Sequence, residues 1–471
     1  MERRTWLYLV GPAVVVATVC AFPSRAAETQ SEAPSAAEVQ VVGDNAEPPA
    51  DSAEGAQAPE EAGADKARAD ELRDRRLAKE PTPPHQGILE WAMVKTQDRP
   101  LVPFITVPFH DLYLRPGTLR SGGGLSLSLE YWNADRAESW TSLFASAGYS
   151  TGGYQDATLL FGRVPHGAAR TPPLETQLED LPPLSPRAAD YGFGPYSRYL
   201  FGEVRYRDLP RETFYGLGPG SAETDKTSFL MKDVSYELVG LKRLAHPLLA
   251  ALRIGSLHSE IGSGQRPGVP TIETLFDDTT APGLSQQPDY LHAGAELLLD
   301  WRDEPRNPHR GGAIGLSGER YSDPGHQFSF NRYVLDVRHV LTLGSPQRVL
   351  AARGYASAAS ADPGDRVPFY LLETLGGART LRGYADFRYR APALALLSAE
   401  YRWELIPAVE LAAFCDTGTV GERLTELRFA DRNTSCGGGL RLKAKERTLL
   451  RFDVSRGGEE TRFLVKTFYV F

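Results

Sequence analysis

Cysteine is almost missing from this chain. Three residues in 471, Cys20, Cys415 and Cys436, leave no basis for a disulfide-dense scaffold or a clustered-cysteine zinc site. The nine histidines show no H-E-x-x-H or comparable ligand spacing, so neither a metal nor another cofactor is expected. A basic surplus is lacking as well: the formal charge is −8, which excludes a generally basic nucleic-acid binder. Past the first 27 residues no apolar run approaches the roughly 18 residues of a spanning helix, so transmembrane helices are excluded.

What is present is unevenly distributed. Residues 28–80 hold 14 acidic and 6 basic side chains, a net of −8, so the rest of the chain is close to neutral. Residues 1–26 read as a signal peptide: Arg3 and Arg4, an apolar run from Trp6 to Phe22, then Ser24-Arg25-Ala26, with small Ser24 and Ala26 at the −3 and −1 positions of a cleavage site. Residues 27–85 are rich in Ala, Glu, Pro and Ser with almost no aromatics, too polar to offset the entropy of ordering, and are expected to be disordered. In 86–100, Ile88, Trp91 and Val94 at helical spacing predict a short amphipathic helix and linker. Function is therefore sought in 101–471.

That region reads as alternating strands broken by Gly, Pro, Asn and Asp. In Ala393–Leu405, Leu397, Ala399, Tyr401, Trp403 and Leu405 oppose Ser398, Glu400, Arg402 and Glu404, although Leu394 and Leu396 blur the start. Leu291–Arg302 and Leu450–Val454 repeat the pattern. A water-soluble periplasmic sandwich also alternates, but long strands carrying Tyr and Trp behind a signal peptide match an outer-membrane barrel, apolar outside and charged inside. The expected fold is all-β: a transmembrane antiparallel β-barrel in the bacterial outer membrane, with the lipid bilayer as partner. Fifteen strands follow Gly122 and one more is expected in Leu101–Leu114; the even total of sixteen suits a bacterial single-chain barrel. Counting back from a periplasmic C-terminus puts Leu209–Lys226, Ile261–Pro288, Ala359–Arg390 and Gly418–Thr434 outside the cell, with mostly tight turns inside. The Pro-rich 164–195 is the exception, long yet periplasmic.

Three motifs resemble the bacterial surface antigen family, the barrel of the BamA/TamA class of outer-membrane assembly factors. Leu381-Arg382-Gly383-Tyr384, preceded by Leu375-Gly376-Gly377, is similar to the family's (V/L)RG(F/Y) tip, where a long outer loop folds back into the lumen. Phe414-Cys415-Asp416-Thr417-Gly418 is similar to its F-x-D-x-G strand, whose Asp meets that Arg, and Glu400 matches a carboxylate on the neighbouring strand. Asp300-Trp301-Arg302-Asp303 with Pro308 and Gly311 resembles its D-x-R-D-x-x-x-x-P-x-x-G hairpin. The resemblance implies membrane-protein insertion or translocation, with outer-membrane clients or the barrel assembly machinery as partners. The alternative is a passive or structural barrel that kept the fold; residues 28–98 lack the pattern of the family's client-collecting POTRA modules.

The residues support the same geometry by themselves. Asp416 and Glu400 have inward parity on consecutive strands, and one planar guanidinium can bond two carboxylates at once. Arg382 is thus expected to lock loop 359–390 in the lumen, with Gly383 allowing a tight turn at the tip. Cys415 and Cys436 share outward parity on adjacent strands and are disulfide candidates, although parity does not fix register. Phe471, aromatic at the carboxyl terminus, resembles the signal by which outer-membrane proteins are inserted. Gly148-Tyr149-Ser150-Thr151-Gly152 fits G-x-S-x-G, but at a predicted hairpin tip rather than a strand-to-helix elbow, so no enzyme is expected.

Overall fold

Among the described residues, seventeen strands, each paired antiparallel with the one that follows it in the sheet, make one meandering sheet. This is a computed structural model, and it describes residues 107–109, 112–117, 119–120, 122–132, 140–164, 198–303, 307–444 and 447–466. The expected signal peptide (1–26), acidic segment (27–85) and short helix (86–100), the Pro-rich 165–195 and Phe471 lie outside them.

The first strands are β1 (Val107–Phe109), β2 (Leu112–Gly117), β3 (Ser126–Trp132), β4 (Ser142–Ser150), β5 (Gln155–Arg163), β6 (Arg198–Phe214), β7 (Thr227–Arg243) and β8 (Leu248–Ser263). There follow β9 (Asp289–Asp300), β10 (Gly311–Ser322), β11 (Phe330–Thr342) and β12 (Arg348–Ala361). A separate ribbon pairs β13 (Glu373–Leu375) with β14 (Tyr389–Ala391). The sheet resumes with β15 (Ala393–Ile406), β16 (Val409–Gly421), β17 (Asn433–Ala444), β18 (Arg447–Arg456) and β19 (Thr461–Lys466). All fifteen strands expected after Gly122 are present. Upstream the expectation needs correcting: the single strand placed in Leu101–Leu114 is two short strands, β1 and β2, paired Val107↔Leu114. Pro100, Pro103, Pro108 and Pro116 each withhold a backbone donor, which disfavours one long strand there.

Alternation decides which way side chains face. Along β15, Leu397, Trp403 and Leu405 are exposed on the outer face, whereas Ser398, Glu400 and Arg402 are buried inside. The same inversion recurs at Leu252 and Ile254 around buried Arg253, and at Phe452 and Val454 around buried Asp453. In water this would expose an apolar belt and bury charge at great cost, whereas a bilayer solvates the belt. Among the described residues no helix is long and apolar enough to cross a membrane.

The segment between β12 and β15 touches widely separated strands. Phe369 packs on Phe214 at the end of β6 and on Phe229 of β7, with ring centroids 4.9 and 5.0 Å apart. Further along, Arg382 bonds β15 and β16, and Ser455 of β18 donates to the Arg382 carbonyl at 2.7 Å. Strands so far apart in the meander can share one loop because the sheet curls around a lumen, as in an outer-membrane barrel. The G-x-S-x-G motif sits at the β4–β5 hairpin, where the buried Ser150 hydroxyl accepts the Tyr154 N–H at 3.0 Å.

Candidate functional site: a charged anchor in the lumen

The site begins with a reversal of the backbone. Gly376 and Gly377 have φ of 124° and 102°, conformations that side chains rarely adopt, and they turn the chain after β13. A Cβ on Gly376 would stand 2.2 Å from the Ala385 carbonyl oxygen. This turn delivers Leu381, Arg382, Gly383 and Tyr384 against the inner wall of β15–β18.

Arg382 is fully buried there. Its Nε donates to Asp416 Oδ2 at 2.7 Å and its Nη2 to Asp416 Oδ1 at 2.8 Å, a two-pronged bond, while Nη1 donates to Glu400 Oε2 at 2.5 Å. The backbone N–H of Arg382 donates to Asp416 as well, at 3.3 Å. The Phe414 ring lies under the guanidinium, 3.5 Å from its carbon. Burial works to lower the pKa of this guanidinium, but Asp416 and then Glu400 outweigh burial and hold it above its ordinary range. Gly418, the last residue of the F-x-D-x-G motif, is tightly packed: a Cβ would stand 3.0 Å from the Ala395 carbonyl oxygen and from the Leu375 side chain. Leu394 and Leu396, which blur the alternation of β15, point inward and pack with Leu375, Leu381 and Tyr384 of the loop.

One sequence expectation changes. A single Arg between two carboxylates was expected, but three and three are found. Arg441 donates to Glu400 at 3.1 Å and to Asp453 at 3.0 Å, and Arg451 donates to Asp453 at 2.5 Å. The cluster of Arg382, Arg441, Arg451, Glu400, Asp416 and Asp453 is formally neutral, which is how six charges can stay almost wholly buried. Arg441, Arg451 and Asp453 carry inward parity in the sequence, but nothing there said that β17 and β18 curl back onto the loop. Gly383 lies in a tight turn at the tip, closed by the Tyr384 N–H donating to the Leu381 carbonyl at 3.1 Å, without a left-handed φ. A Cβ there would lie 2.4 Å from the Gly457 nitrogen and 2.7 Å from Arg456 backbone, so its smallness serves close approach to the β18–β19 turn.

That turn is fastened to the loop repeatedly. Gly458 N–H donates to the Tyr384 hydroxyl at 2.9 Å, and Arg388 pairs with Glu459 at 2.7 Å. Wall arginines also hold loop carbonyls: Arg353 reaches Arg379, Arg451 reaches Ala378 and Arg332 reaches Leu371.

The third motif lies at the opposite end of the barrel. Arg302 forks onto Asp300 at 2.9 and 2.6 Å, and Asp303 accepts the N–H groups of His309 and Arg310. Arg402 of β15 donates to buried Asn307 at 3.2 Å and to the Pro308 carbonyl at 2.5 Å, drawing this hairpin inward. Cys415 and Cys436 are directly opposite in the β16–β17 register, with Cα atoms 4.1 Å apart, and are disulfide-bonded on the outer face. Among the described residues no group of three or more His, Cys, Asp or Glu could hold a metal.

Residues 281–461, which span the hairpin motif, the loop and its anchor, match the Omp85 superfamily domain. The chain is also similar to the crystal structure of BamA from Haemophilus ducreyi lacking POTRA domains 1-3, with 14% identity and a TM-score of 0.50 over 80% of this chain and 78% of that one. CdiB from Acinetobacter baumannii (12% identity, TM-score 0.40) covers 76% of this chain and 57% of its own. CdiB from Escherichia coli (12%, 0.46) covers 77% of this chain and 62% of its own. No curated protein matches the sequence. The segment that holds the loop and its anchor is thus similar to the Omp85 superfamily domain, and the chain as a whole has the fold of an outer-membrane β-barrel like that of BamA.

Proposed function

We propose that this protein works in the bacterial outer membrane as a non-enzymatic barrel that inserts or translocates membrane proteins, with loop 359–390 locked in its lumen by Arg382. The observation that carries the reading is the double attachment of the loop. Its tip bonds the wall at Asp416 and Glu400, and the same few residues bond the β18–β19 hairpin, the last of the meander. A passive pore gains nothing from a buried plug tied to its terminal hairpin. A machine that opens beside its last strand needs such a tie, because movement of the plug and of the hairpin then occur together. Its partners would be the bilayer and either outer-membrane client proteins or the barrel assembly machinery.

Depletion of the protein followed by quantitative proteomics of the outer membrane tests this. Loss of a defined set of outer-membrane proteins is the expected result; an unchanged proteome would return the chain to the passive or structural alternative. The targeting part of the proposal has its own check. Deleting Phe471 should lower the yield of inserted barrel more than deleting residues 30–80, and equal yields would remove the insertion-signal role.

A further inference from the structure

Beside the locked loop, at the end of the barrel that the strand count places outside the cell, lies a cavity of about 190 Å³, space for roughly six waters. Six of its lining residues are charged: Arg211, Lys226, Arg266 and Arg462 against Glu212 and Asp386. Both carboxylates are already answered. Glu212 takes Arg120 at 2.6 Å, and Asp386 lies 3.4 Å from Arg462.

Three cations remain without a carboxylate. Arg211 and Arg266 each keep a buried Nε with no hydrogen-bond partner. The Lys226 ammonium stands 5.8 Å from the centre of the Tyr215 ring, which Arg388 approaches from 5.1 Å. Burial first, then the neighbouring Arg266, pulls the Lys226 pKa down, and Glu460 and Glu223 offset this only in part. Burial pushes the Tyr215 hydroxyl up to about 12, so it stays a neutral donor at any physiological pH.

We infer that this cavity is a binding site for a phosphate-bearing anion, held by Arg211, Lys226 and Arg266. A phosphate group offers several charged oxygens to cations arriving from different directions. Guanidinium forks bond pairs of such oxygens, and an ammonium adds a point charge. The group could come from a soluble phosphate or from a phosphorylated glycolipid of the outer leaflet; the chemistry is shared. The inference is independent of whether the barrel inserts clients.

Calorimetric titration of the full chain in detergent with inorganic pyrophosphate, and in bilayer discs with and without a phosphorylated glycolipid, separates the sources. Binding of pyrophosphate in detergent supports a soluble ligand, and binding of the glycolipid alone supports a headgroup. Arg266→Gln should weaken whichever is bound at least tenfold, with Lys226→Gln doing so less, while both variants keep heat-modifiable migration as evidence of a folded barrel. Raising salt should weaken binding too. No binding of either probe, or affinities unchanged in both folded variants, would overturn the inference.

Discussion

Loop 359–390 is gripped at two places by opposite chemistry. From Val367 to Leu372 it is held by rings and apolar chains: Phe369 and Tyr370 sit with Phe214, Phe229, Tyr290, Tyr321 and Phe330 in one buried cluster. From Ala378 to Tyr384 it is held by ions and directed hydrogen bonds. The apolar grip scales with buried area and tolerates small shifts. The ionic grip is directional and nearly all-or-none, because removing one partner strands a buried charge. A loop held this way can let go at its tip while its root remains seated.

Breaking the ionic grip should have the largest effect. Arg382→Ala leaves Asp416 buried without its partner, whereas Glu400 keeps Arg441; the expected cost is about 3–5 kcal/mol. Protease access to the 375–390 stretch and single-channel conductance should both rise. Arg382→Lys should restore these only in part, since an ammonium cannot fork across Asp416 and reach Glu400 together. Conductance and proteolysis identical to the parent would show that the tip is held by something else.

Phe369→Ala attacks the other grip and should cost about 3 kcal/mol, near the lower end for a buried Phe because the cluster can close partly around the gap. Here new cleavage is expected in 361–372 while the Arg382 end stays protected. Cleavage at both ends in either variant would mean that the two grips act as one unit.

Opening Cys415–Cys436, which closes a stretch 21 residues apart, should cost at most about 3 kcal/mol. The bond lies on the outer face, so Cys415→Ser with Cys436→Ser should lower the temperature of heat modification without changing conductance. A conductance change would connect the outer face to the plug. The smallest effect is expected for Gly383→Ala. The added methyl would press on Gly457 and Arg456 backbone, at about 1–3 kcal/mol. If backbone crowding is the reason for glycine there, Gly383→Ala should increase proteolysis at the β18–β19 turn as well as in the loop.

Much of this was legible along the chain. Strand alternation with apolar residues outward needs only a period of two and a lipid solvent, and so β15 could be read from Leu397, Glu400, Arg402 and Trp403 alone. Arg382, Asp416 and Glu400 could be matched because each lies in a local motif. Parity put Cys415 and Cys436 on one face; that they stand directly opposite came only from the β16–β17 pairing. What was not legible is whatever depends on curvature. Arg441, Arg451 and Asp453 look like ordinary inward charges until β17 and β18 bend back over the loop. The aromatic cluster draws Phe214, Tyr290 and Phe369 from positions far apart, and the cavity of Arg211, Lys226 and Arg266 joins strand β6 to the β6–β7 and β8–β9 connections.

The sequence by itself therefore determined the strands, their inward and outward faces and the identity of the Arg that meets Asp416, because these rest on periodicity and on local charge. Only the tertiary structure decided how many charges cluster on the inner face, that Gly383 is small for the sake of Gly457, and that the loop is bonded to the β18–β19 hairpin. Those features arise where a curled sheet brings distant residues within a few ångströms, and no local pattern encodes that distance.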